Sequence, residues 1–127
     1  MAATNTTIFG GTRKHIIHIT NDGTAQSAVV IVDASALIGP NGKAPSYTSL
    51  IHAQWNIWAV DVEVELLHDA TTDTRALIMQ GQGEKIFPGD GIVDPTNTGT
   101  TGDVLVTTTN AGAGDGYDII LTFILKD

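Results

Sequence analysis

Apolar and polar positions alternate along most of this chain, and the alternation predicts strands. Residues 48–58 place Ile51, Ala53, Trp55 and Ile57 on one side and His52, Gln54, Asn56 and Trp58 on the other. Residues 59–67 alternate again, with Val60, Val62, Val64 and Leu66 facing in and Asp61, Glu63 and Glu65 facing out. No Gly or Pro interrupts 48–67, so it predicts one long bent strand or two strands meeting at a bulge near Trp58. Residues 117–126 carry the longest apolar stripe, Tyr117, Ile119, Leu121, Phe123 and Leu125, and predict the heart of the core. Strands are also predicted at 13–20, 26–33, 74–80 and 102–109. In 26–33, Val30 and Val32 share one face and Val29 and Ile31 the other, which predicts a strand buried on both sides or covered by another subunit.

Turn chemistry separates these runs. Asn21, Asp22 and Gly23 tolerate positive φ and predict a hairpin joining 13–20 to 26–33. Residues 37–47 hold two prolines and two glycines and predict a loop, and 68–73 predict a turn. Gly81 and Gly83 mark a turn at a strand end. Residues 84–101 read as one long loop, functional or pinned by a neighbour. Residues 110–116 form the last connection, and residues 1–12, small and polar, predict an extended N-terminal arm or a short edge strand. Seven or eight short strands with turns between them predict an all-β, two-sheet antiparallel sandwich, jelly-roll-like or otherwise Greek key. No linker divides the chain, so residues 13–127 are expected to form a single β-sandwich domain behind the 1–12 arm.

Composition agrees with strands. The chain has 127 residues, with 14 Gly, 4 Pro and 16% charged residues, against about 25% in ordinary soluble domains. Six Lys and Arg leave little material for the wet face of an amphipathic helix. The net charge of −8 argues against nucleic acid or anionic membrane as partner. No apolar run approaches the ~20 residues of a membrane span, and the first ten residues lack the pattern of a signal peptide. The absence of Cys excludes disulfides and thiolate chemistry.

Candidate chemistry is sparse. Asp61, Glu63 and Glu65 form a straight row, whereas Ca²⁺ needs converging oxygens, so a solvated strand face is the preferred reading. His15 and His18 are separated by an odd number on a strand and so face opposite ways, which prevents joint chelation. His52 and His68 stand alone, as surface or satisfied core groups. No nucleophile elbow, dinucleotide fingerprint or Walker loop is present, and Asp115 between glycines is an unsupported ion ligand. No cofactor, metal or catalytic residue is therefore expected. Trp58 lies on the face opposite Trp55, so one indole faces outward unless a bulge turns it in. An exposed Trp serves as an interface anchor or a sugar platform.

The segments VDVEVELLHDATTDTRALIM and GDVLVTTTNAGAGDGYDIILTFILK add a resemblance. Leu66, Leu67, His68 and Asp69 to Asp73 end a strand in a turn. A Pro/Gly loop spans Phe87 to Pro95. Thr101, Gly102 and Asp103 precede a hydrophobic strand with the Thr cluster Thr107 to Thr109, and Asp115 to Lys126 closes the chain. In this order they resemble small virion structural proteins of tailed bacteriophages, over about residues 26–126. The resemblance implies a non-enzymatic capsid decoration (cement) protein, commonly trimeric, on the capsid exterior, made in the host cytoplasm and bound to the major capsid protein. The residues expected at its interfaces are Trp58, Val29, Ile31, Ile8 and Phe9. Three other readings remain open: a head-completion or tail component; a carbohydrate-binding sandwich using Trp58, Asn56 and Gln54; and a minimal hydrolase built on Asp61, Glu63 and Asp69.

Overall fold

The computed structural model describes residues 4–21, 27–58, 62–95, 98–109 and 116–126. Its strands are β1 (Thr4–Gly10), β2 (Lys14–Asn21), β3 (Val29–Val32), β4 (Tyr47–Ile57), β5 (Glu63–His68), β6 (Thr74–Met79), β7 (Gln82–Ile86), β8 (Ile92–Val93), β9 (Val104–Thr109) and β10 (Tyr117–Lys126). A 3-10 turn at Ala34–Ala36 follows β3, capped by the Asp33 carboxylate on the Ser35 N–H. Every strand pairing is antiparallel.

The larger sheet runs β1-β2-β10-β4-β7, with β8 beside β4, and the smaller runs β3-β9-β5-β6. Setting aside β1 and β8, the chain fills β2-β10-β4-β7 and β3-β9-β5-β6, changing sheet at almost every connection. That is the eight-strand order of a jelly roll. The core lies between the sheets. Ile17, Ile19, Leu50, Ala53 and Ile57 of the larger sheet meet Val64, Leu66, Met79, Val104 and Val106 of the smaller. The stripe Tyr117, Ile119, Leu121, Phe123 and Leu125 is buried throughout, as its alternation predicted.

Several expectations are corrected by the lateral pairing of strands. Residues 13–20 and 26–33 do not form a hairpin: β2 pairs with β1 and β10, and β3 pairs with β9 in the other sheet. Asp22 and Gly23 of the expected turn lie outside the described residues. The stretch 48–67 is two strands in different sheets, β4 and β5, and positions 59–61, with Val60 and Asp61, lie outside the described residues. The segment after Gly81 is a strand, since β7 pairs with β4, and β7 and β8 occupy part of the expected long loop. Of the 1–12 arm, residues 4–10 are the edge strand β1, tied to β2 and, through Asn5 Nδ2 donating to the Ile31 carbonyl, to the opposite sheet.

Two glycines make this packing possible. A Cβ on Gly83 would lie 2.5 Å from Trp55 Cζ2, so the bare backbone of β7 admits the indole. Gly91 sits at φ +74°, where a side chain would collide with the Leu50 carbonyl; it lets the chain turn tightly into β8.

Candidate functional site: exposed apolar groups and paired ionisable groups

Trp58 follows the last residue of β4. The Ile57 N–H donates to the Gly81 carbonyl (2.7 Å) and the Trp58 N–H to the Gly116 carbonyl (3.3 Å), holding the backbone while the indole stays 56% exposed. Trp55 lies on the other face. Its Nε1–H donates to the Gln80 carbonyl (2.9 Å), and its ring packs against the core. The two indoles thus separate as the alternation predicted.

Ile8 and Phe9 are about half exposed on β1, where the register against β2 slips between Thr7 and Phe9. Val29 is also exposed, but Ile31 is not: it is 4% exposed and belongs to the core. Within one chain β3 is not buried on both faces, for a local reason. A bulge between Val30 and Val32 turns both Ile31 and Val32 inward and leaves Val29 and Val30 in solvent. Ile31 is therefore not an interface residue.

The ionisable groups are mostly engaged in pairs. Glu65 accepts from Arg75 Nε, and Glu63 from Gln80 Nε2 (3.0 Å). Asp61, the third carboxylate of that row, lies outside the described residues, as does Asp115. His18 faces outward and bonds Asp118, while His15 faces inward and is buried. His52 Nε2 meets Glu84 Oε2 at 2.8 Å. Glu63 begins β5 and Asp69 follows its end, so about six residues, on the order of 20 Å, separate them. That is far beyond the spacing of a carboxylate dyad. Among the described residues no group of three His, Cys, Asp or Glu could hold a metal ion.

One buried pair was not anticipated. His68 and Asp94 have side chains 2% and 1% exposed, with Nδ1 and Oδ2 3.8 Å apart. His68 continues the inward series Val62, Val64, Leu66, so alternation could have placed it; nothing in the sequence marks Asp94. Burial holds the His68 pKa below its ordinary value, and the Asp94 carboxylate only partly opposes this. Burial also lowers His15. Beside this pair, Asp103 is raised, first by burial and then by Asp33 and Asp69, against the Ala34 N–H it accepts.

No family model matches the chain, and no curated protein matches it. Solved structures do. A proposed mannose-6-phosphate isomerase from Ralstonia eutropha JMP134 matches with 10% identity and a TM-score of 0.38, over 99% of this chain and 86% of that one. A cupin superfamily protein from Desulfitobacterium hafniense DCB-2 matches with 12% identity and a TM-score of 0.37, over 99% and 79%. A likeness at this level carries no argument about activity, and a shared fold would not fix one. The all-β, two-sheet jelly roll rests on the strand order itself.

Proposed function

We propose that this chain is a structural protein of a phage virion, a homo-oligomeric decoration protein that braces neighbouring capsomers at the capsid exterior. The observation that carries the reading is the exposure of the large apolar side chains Ile8, Phe9 and Trp58. The sequence resemblance supports it, and jelly rolls recur in viral capsids as well as in lectins and cupins. Cementing sums many modest contacts over a lattice and needs no chemistry. Light scattering on the purified protein and co-sedimentation with shells of the virus that encodes it test the reading. We expect an oligomer and saturable shell binding, at least tenfold weaker in Phe9→Ser/Trp58→Ala, with unchanged melting. A monomer at all concentrations that binds no shell overturns it.

A second reading has one observation behind it. Gln54, Asn56, Glu84, Asp118 and Ile120 line a groove of about 300 Å³ on the larger sheet, bordered by the half-buried Trp55, and their amides and carboxylates offer hydrogen-bonding groups to a sugar. Trp58 does not line it. Binding on a glycan array that is lost in Asn56→Ala supports the lectin reading, and silence across the array dismisses it.

A further inference from the structure

Cations are scarce in this chain, six Lys and Arg against 14 Asp and Glu, so their placement carries information. Three of the six, Arg13, Lys14 and Lys126, line one notch of about 460 Å³, with the part-exposed Pro40 and Ile124 as its apolar wall. The topology makes the notch. β2 begins at Lys14 and its antiparallel neighbour β10 ends at Lys126, so residues far apart in sequence arrive together at one end of the larger sheet. Ile124 sits opposite Lys14, and the Leu125 N–H donates to the Arg13 carbonyl at 2.8 Å.

Lys126 meets Asp90 at 3.5 Å, an exposed contact of the kind that contributes little to stability. Among the described residues neither Arg13 nor Lys14 has an ion-pair partner. A positive notch on a chain of net charge −8 favours a local anion. The apolar wall narrows the class. A free phosphate gains nothing from Pro40 and Ile124, and a long polyanion meets the negative body beyond the notch. A short segment that carries both carboxylates and apolar side chains satisfies both walls, and opposite charge across the contact guides it in.

We propose that this notch docks an acidic-apolar peptide segment of a partner protein, with its carboxylates on Arg13 and Lys14 and its apolar side chains on Pro40 and Ile124. Under the virion reading that segment belongs to the capsid protein. The notch itself stands apart from that reading, because it is tested on the purified chain.

The probe is an acetylated, amidated hexapeptide of alternating leucine and glutamate, titrated into the full ¹⁵N-labelled chain. Parallel titrations use the leucine-lysine hexapeptide, inorganic phosphate and a short oligothymidine. We expect saturable shifts at the amides of residues 13, 14 and 124–126 that weaken with salt, and no saturation by the lysine peptide. Lys14→Glu weakens binding at least fivefold. Lys85→Glu, which changes the net charge equally on β7, leaves it within twofold. Absence of saturable shifts overturns the proposal, as does equal loss in both variants. Tighter saturation of the notch by phosphate or oligothymidine overturns the peptide class. Peptide binding by a protein that ignores capsid shells refutes the virion reading and leaves the notch standing.

Discussion

β3 and β10 are both rich in branched apolar residues, β3 on both faces and β10 along one full face and part of the other, yet they meet different fates. β10 lies between β2 and β4, paired along nearly its whole length on both sides. Its inner residues are buried, and its outer residues Ile120 and Ile124 are half covered by neighbouring strands. β3 has four residues, one neighbour, and a bulge. Ala28, entering it, sits at φ 48°, a left-handed conformation that costs a non-glycine residue about 1 kcal/mol. Its first half remains in solvent. An apolar pattern therefore states how much surface a strand can bury, and the lateral neighbours decide how much it does bury.

The largest effect expected from this contrast is at the centre of β10. Leu121 is fully buried, and Leu121→Asp would strand a charge between the sheets. We expect a loss on the order of 5 kcal/mol, comparable with the ~5–15 kcal/mol that holds a domain together, so the variant does not fold. A soluble variant with a cooperative melt would break the assignment of β10 to the core.

A sharper comparison lies within β3. Ile31→Asp buries a charge and should cost about 3 kcal/mol or more, whereas Val30→Asp, one residue earlier at a site 48% exposed, should cost no more than about 1 kcal/mol. Urea denaturation of the two variants measures the difference. Equal costs would mean that the bulge does not select which side chains enter the core.

The same reasoning explains what was legible in the sequence. Long alternating runs with two paired neighbours, β5 and β10, are readable because their periodicity is the packing; in β4 a register shift against β10 places Leu50 in the core where alternation expects Ile51. The outward position of Trp58 and the opposed faces of His15 and His18 followed from the same period. Lateral partners were not readable, since pairing is set by the whole set of strands. The hairpin expected at Asn21–Gly23 therefore does not form, β7 and β8 occupy part of the expected loop, and Ile31, expected at an interface, is buried in the core. The cationic notch escaped notice for the same reason, because Arg13 and Lys126 become neighbours only through the pairing of β2 with β10.

The smallest effect concerns two histidines three residues apart on β2. His15 faces the interior, 5% exposed, and its Nδ1 has no hydrogen-bond partner among the described residues; His18 faces solvent and bonds Asp118. Burial lowers the His15 pKa from 6.5 in the folded chain, and it does the same to His68. Below pH 6.5 the unfolded chain therefore takes up protons that the folded chain resists. Stability is fully present above that value and is lost as pH falls toward the lowered folded values. Asp103, raised from 3.8, has the opposite sign, because its contribution is lost as pH rises through its folded value. Thermal melts should thus show Tm falling between pH 7.5 and 5.5. His15→Leu keeps an apolar group in the same place and should reduce that fall, while the same substitution at the solvent-facing His18 should reduce it less. An equal response from the two variants would mean that the inward and outward faces of β2 do not differ in solvation.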